Sequence, residues 1–175
     1  LETNFIDGKY SGVGKYNSPV EFLKAVKDSG IGLVSLAHNH VLDYGTQGLE
    51  TTISKIKEQN IEITGIKENS ERTNEQDENT LDEEKQENPD FTGNIKEING
   101  IKVAFLGYTY GLNGFSLPED KPWLVDLIDK DQIKQDMEAL NKVSDVQMVS
   151  MHWGNEYQTE PTQEQEDLAN YLNEL

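Results

Sequence analysis

The chemistry-bearing residues of this chain fall in two short stretches. The first, LVSLAHNHVLDYGTQGLETT at 33–52, sets His38, Asn39 and His40 after an apolar run, with Asp43 three residues beyond. The second, VQMVSMHWGNEY at 146–157, sets His152 after another apolar run, followed by Trp153, Gly154 and Glu156. The chain has 3 histidines, and all of them stand at the ends of such runs. Imidazole, amide and carboxylate donors together suit Mn, Fe or Zn in a mixed nitrogen–oxygen site. Two such ions about 3.5–4 Å apart clamp a phosphoryl oxygen and generate hydroxide. In that frame His152 ligates through a ring nitrogen and Asn39 through its amide oxygen. His40 either ligates or serves as a general acid towards a leaving group. Asp43 orients His40 through the other ring nitrogen, and Glu156 is a supporting acid or a rim residue. Each position also has an ordinary reading. A histidine after a strand is commonly a hydrogen-bonded loop residue, Asp43 could cap the turn into Gly45, and Trp153 and Tyr157 could be core. Spacing alone leaves both readings open.

The elements that must position these residues alternate. SPVEFLKAVKDSG (18–30) reads as a helix, with Ser18 as cap, Pro19 in the first turn and Glu21 at the capping-box position. Phe22, Leu23 and Val26 make its apolar face, and Gly30 stops it. IGLVSLA reads as a buried strand, TQGLETTISKIKEQN (46–60) as a helix with Leu49, Ile53 and Ile56 inward, and IEITG as another strand. After residue 93, Asn99-Gly100 between two strand-like runs predicts a hairpin. IKVAFLGY and DVQMVSMHWG are further strands, and GLNGFSLPEDKPW is loop. KDQIKQDMEALNKV is a helix facing inward with Ile133, Met137 and Leu140. PTQEQEDLANYLNEL begins a last helix, with Leu168, Tyr171, Leu172 and Leu175 available for packing. The alternation predicts an α/β domain with helix-covered strands. Ligands of such sheets bind outside the carboxyl ends of the strands, so the two stretches are expected on one face.

The 175 residues suit one domain able to bury a core without staples. There are no cysteines, which excludes thiol catalysis, thiolate metal sites and disulfides. The formal net charge of -18 excludes the electrostatic footprint of a nucleic-acid binder or of an anionic-membrane binder. SGVGKY does not follow a strand and lacks the full phosphate-loop pattern. No serine nucleophile elbow is present. Residues 67–92 form an acidic, amide-rich stretch too poor in apolar residues to offset its ordering entropy. It is expected to be a mobile surface insertion within the one domain. A start at Leu1 without a leader reads as a piece of a longer polypeptide, with any membrane anchor outside this chain.

LVSLAHNHVLDYGTQGLETTI resembles the signature of the CapA-like (PgsA) bacterial poly-γ-glutamate capsule synthesis family. That signature is an apolar strand, then A-N-N-H, D-Y-G and G-L. VSMHWGNEYQTEPTQEQEDLANYL resembles the second signature, H-W-G, E-Y, a proline, then Q and L-A on a helix. IKVAFLGYT is similar to the strand between them, and Leu1-Glu2 to the end of an N-L-E motif. The resemblance covers nearly the whole chain except the acidic stretch.

It implies a layered α/β/β/α fold of the calcineurin-like metallophosphoesterase type, incomplete in this chain. It implies Asn39 and His152 as metal ligands, with Glu2 as a further candidate, and His40 as the acid. One divalent ion, or two in the full-length form, would be Mn, Fe or Zn. Asp43, Trp153, Gly154 and Glu156 match motif positions without an assigned role. His38 replaces the usual first Asn, a change that is either neutral or adds a ligand. The family's G-D motif would precede Leu1 and its G-H-H-P-H motif would follow Leu175. The chain alone is therefore expected to hold part of the site and to be inactive. The implied partners are poly-γ-glutamate or its precursor and a membrane-bound synthase complex, at the bacterial cell surface. Three functions compete: a metal-dependent capsule enzyme, a non-catalytic polymer-handling component, and a metallophosphoesterase unrelated to capsule.

Overall fold

The computed structural model describes residues 1–67 and 94–175. The acidic insertion expected at 67–92 lies outside the described residues, apart from Lys67. The described residues form a mixed α/β architecture of seven strands and four helices. Strands β1 (Ser11–Val13) and β2 (Lys15–Asn17) make a small antiparallel hairpin. Its tight turn is possible because Gly14 takes φ +76. The SGVGKY stretch, rejected as a phosphate loop, is thus a hairpin that periodicity did not reveal, because three residues per strand are too few to show alternation.

Helix α1 (Val20–Asp28) buries Leu23 and Val26. The expected Ser18 cap does not form. Pro19 occupies the cap position without a side-chain bond, and the Ser18 hydroxyl instead meets Thr3 Oγ1 at 2.8 Å. Phe22 is half exposed rather than inward and stacks on Phe5 with ring centroids 6.5 Å apart. Helix α2 (Gly45–Glu58) buries Leu49, Ile53 and Ile56 as its spacing predicts. Between the helices runs β3 (Leu33–Ser35), which pairs in parallel with β4 (Glu62–Thr64). These elements close one core with Phe5, Leu36, Val41, Ile61 and Ile66. Each fully buried Leu or Ile there stabilises the fold by about 1.5–3 kcal/mol.

The second unit is a three-stranded sheet in the order β5 (Asn94–Ile98), β6 (Ile101–Thr109), β7 (Val146–His152). The Asn99-Gly100 turn forms as predicted, with φ +53 and +83, the left-handed pair a two-residue hairpin needs. β7 runs parallel to β6, with Thr109 opposite His152. Helix α3 (Lys130–Leu140) and helix α4 (Gln163–Glu174) cover one face. Ile133, Met137 and Leu140 meet Ala104, Leu106 and Tyr108, with Leu172 and Leu175 packed against them. Asp129 caps α3 and a Thr162–Gln165 capping box opens α4. In the α3 core the Tyr108 hydroxyl donates to Asp136 Oδ2 at 2.7 Å.

The two units meet where side chains vanish. A Cβ at Gly65 would lie 2.6 Å from Ala37 Cβ and 3.1 Å from the Gly107 carbonyl, and one at Gly107 would lie 2.5 Å from Ser35 Oγ. Gly65 also holds φ +84. Thr64 Oγ1 donates to the Phe105 carbonyl at 3.0 Å, and Asn94 Nδ2 to that of Ile63 at 2.6 Å. This close approach brings the carboxyl ends of β3, β6 and β7 to one side.

Candidate functional site

The segment after β3 folds as consecutive tight turns. The amides of Val41, Asp43 and Gly45 bond the carbonyls of His38, His40 and Leu42 at 3.2, 3.2 and 2.9 Å. Val41 and Leu42 point into the core, which fixes the direction of the polar residues between them. His38, Asn39, His40 and Asp43 are all buried. Asn4 Nδ2 holds the His40 carbonyl at 2.9 Å.

His40 and Asp43 form a dyad. His40 Nδ1 lies 3.1 and 2.9 Å from the two Asp43 oxygens. An ionised carboxylate only accepts, so Nδ1 carries the proton and Nε2 is the nitrogen left for chemistry. Asp43 Oδ2 also accepts the Tyr16 amide at 2.8 Å. The Tyr16 ring lies against His40, with centroids 4.0 Å apart. The β1–β2 hairpin thus braces both members of the dyad.

His152, the last residue of β7, reaches the same place. Its Nε2 stands 2.8 Å from Asn39 Oδ1. Glu2 Oε1 lies 3.9 Å from His40 Nε2 and 4.0 Å from His152 Nε2. The structure therefore gathers Glu2, Asn39, His40, Asp43 and His152. Burial draws His152 below the ordinary histidine range, against the pull of Glu2 upward. His38 lies beside them, its ring 6.3 Å from that of His152. Both of its nitrogens are buried without a hydrogen-bond partner among the described residues. Burial first, then His152 and His40, push it well below the ordinary histidine range, so it is a neutral imidazole at neutral pH.

Other expected positions stand apart. Trp153 and Gly154 are half buried, and Gly154, at φ +95, packs beside the Gln165 side chain. Glu156 is exposed, outside the cluster. Tyr157, read as possible core, is fully exposed at φ +63.

Sequence reasoning missed the loop after β6. Asn39 Nδ2 donates to Asn113 Oδ1 at 2.8 Å and to the Tyr110 hydroxyl at 3.1 Å. Tyr110 also stacks on His152, with centroids 6.1 Å apart and planes at 16°. The available signal was Asn113-Gly114, a turn dipeptide after a strand whose carboxyl end lies on the ligand side.

Two donors bound at about 2.1 Å to one ion stand roughly 3 Å apart when their bonds are near a right angle. Asn39 Oδ1 and His152 Nε2 have close to that spacing, and Glu2 is within a small side-chain movement of both histidines. Among the described residues, no three of His, Asp and Glu form a ready-made cation cage. The residues fit an open, partial coordination sphere rather than a closed one.

The family model for the bacterial capsule synthesis protein PGA_cap matches residues 1–175. The chain is 30% identical over 155 residues to the capsule biosynthesis protein CapA of Bacillus anthracis, covering 85% of this chain and 33% of that protein. It is 28% identical over 155 residues to the PGA biosynthesis protein CapA of Bacillus subtilis, covering 88% of this chain and 36% of that protein. The chain spans about a third of the length of these curated relatives. Matched from end to end, with both histidine signatures in order, the chain belongs to the bacterial capsule synthesis protein family PGA_cap.

Proposed function

We propose that this chain supplies part of a metal-dependent hydrolytic site in a protein of poly-γ-glutamate capsule synthesis. The observation that carries this reading is the meeting of His40 Nε2 and His152 Nε2 at one carboxylate, Glu2, within 4.0 Å. The two rings come from segments more than a hundred residues apart and meet at a half-exposed carboxylate.

In this reading Asn39, His152 and Glu2 would hold a divalent ion, Mn, Fe or Zn, with His38 a further ring nitrogen beside them. A bound ion supplies Lewis-acid polarisation of a phosphoryl or amide carbonyl oxygen. The chain's own residues do the rest. Asp43 keeps the His40 ring oriented and its Nδ1 protonated. His40 Nε2 takes up a proton from solvent and delivers it to the leaving group, which water replaces as the nucleophile. Tyr16 and Tyr110 wall the two histidines on either side.

A net charge of -18 opposes an anionic polymer. In this reading polymer or precursor approaches at the strand ends, where a bound cation would offset that repulsion. The layered α/β/β/α arrangement belongs to the same proposal, and two helix-backed sheets joined at Gly65 and Gly107 support it. Placement at the cell surface beside a membrane-bound synthase belongs to the same proposal. Among the described residues no helix is long and apolar enough to cross a membrane.

The test is metal content by mass spectrometry on the full-length protein, with capsule production in a deletion strain complemented by variants. Stoichiometric Mn, Fe or Zn, lost in His152→Ala, with no capsule from His40→Ala or His152→Ala, is the expected result. Capsule retained by both variants but lost on deletion would replace the catalytic reading with a non-catalytic, polymer-handling one.

A further inference from the structure

A ligating amide must present its oxygen, and an asparagine side chain is free to rotate that oxygen away. Whatever holds the amide nitrogen therefore decides whether Asn39 can ligate. Its Nδ2 has two protons, and each has a receiver on one loop: Asn113 Oδ1 at 2.8 Å and the Tyr110 hydroxyl at 3.1 Å. With both protons engaged, Oδ1 is turned to His152 Nε2 at 2.8 Å. The loop is itself fixed. The Tyr110 amide donates to the His152 carbonyl at 2.9 Å, Phe115 N bonds the Leu112 carbonyl, and Leu112 is buried in the first core. Asn113 sits at φ +51, a left-handed conformation that Asn and Gly adopt most readily. An asparagine there satisfies the backbone and aims an acceptor at Asn39 at once.

We propose that Asn113, aided by the Tyr110 hydroxyl, is a positioning residue that sets the amide polarity of Asn39. This rests on the reading of Asn39 as a ligand. Chemically, the chain of amides could run in either direction, because an Asn113 amide turned over would donate rather than accept. An aspartate at 113 can only accept when ionised. It therefore enforces the polarity proposed here and works against the opposite one.

The experiment titrates Mn2+ and Zn2+ into the full-length protein and its Asn113→Gly, Asn113→Asp and Tyr110→Phe variants. In parallel, the side-chain amide signals of Asn39 are followed by 15N NMR, assigned by their loss in Asn39→Ser. Asn113→Gly removes the acceptor without backbone strain and is expected to weaken binding at least tenfold and to shift the Asn39 signals. Asn113→Asp is expected to bind within threefold of the parent or more tightly. Tyr110→Phe, which keeps the ring against His152, is expected to weaken binding a few-fold. Parent-like binding and an unmoved Asn39 signal in Asn113→Gly would overturn the proposal. So would an Asn113→Asp variant as weak as Asn113→Gly. If the parent binds neither metal, the metal reading fails, and the Asn39 signals in Asn113→Gly still decide whether Asn113 sets the amide.

Discussion

The two helix-backed units end in opposite ways at the site. After β3 the chain turns inward, and four polar side chains are buried within six residues. Each bond there has a second one behind it: Asp43 holds His40, the Tyr16 amide holds Asp43, and Asn4 holds the His40 carbonyl. After β7 the chain turns outward. His152 keeps about a third of its side chain exposed, and Glu156 and Tyr157 are in solvent. The β3 end holds the His40 ring in one orientation. The β7 end contributes one ring and leaves the space beyond it open. In its interior the contrast reverses: the second unit buries a polar pair, Tyr108 with Asp136, between sheet and helix.

The largest effect should come from the buried turn. Asp43→Ala strips partners from the part-buried Tyr16 amide and from the buried His40 Nδ1. It is expected to cost roughly 3 kcal/mol in urea unfolding, summed from about 1–3 kcal/mol per orphaned group. A loss under 1 kcal/mol would mean the dyad is not locked.

The Tyr108 pair should show next, and it should depend on pH. Burial, then Asp136, raises the Tyr108 hydroxyl far above its ordinary value of 10.0. The folded state thus keeps a proton that the unfolded chain releases above that value. The stability is complete below pH 10 and is lost as pH rises beyond it. By pH 11 the loss from this group is about 1.4 kcal/mol. Tyr108→Phe should be less stable at pH 7 by about 1–2 kcal/mol. Its deficit against the parent should close by roughly the same 1.4 kcal/mol at pH 11. A constant gap between the two across that range would contradict the assignment.

The open end should be tolerant. His152→Ala is expected to change stability by less than about 1 kcal/mol, since the ring is partly solvated and its main bond is to one amide. Its consequence should fall on metal binding instead. Smallest of all, Glu156→Ala should stay within about 0.5 kcal/mol and leave metal affinity unchanged. A tenfold loss of affinity there would show that the β7 loop closes over the site.

Much of this arrangement was legible in advance. The spacing of Leu49, Ile53 and Ile56, and of Ile133, Met137 and Leu140, marked inward helix faces because 3.6-residue periodicity reflects one buried side. Asn99-Gly100 marked its turn because few other dipeptides take two left-handed conformations cheaply. The placement of Asn39, His40, Asp43 and His152 at strand ends was readable for the same local reason. The Ser18 cap was misread because Thr3, fifteen residues earlier, competes for the hydroxyl. Tyr110 and Asn113 were missed because their role lies 71 and 74 residues from Asn39, in a stretch with no period of its own.

The sequence by itself determined the elements, the alternation of strand and helix, and the residue types offered at the strand ends. Those depend on side-chain periodicity and backbone preference, which act between near neighbours. Only the tertiary structure decided which offered groups meet. It placed Glu2 between His40 and His152, left Glu156 outside, and set the amide of Asn39 against a loop from the other unit. Such contacts follow from two sheets approaching at Gly65 and Gly107, where missing side chains allow backbones to touch. That approach is a property of packed surfaces, which no local pattern encodes.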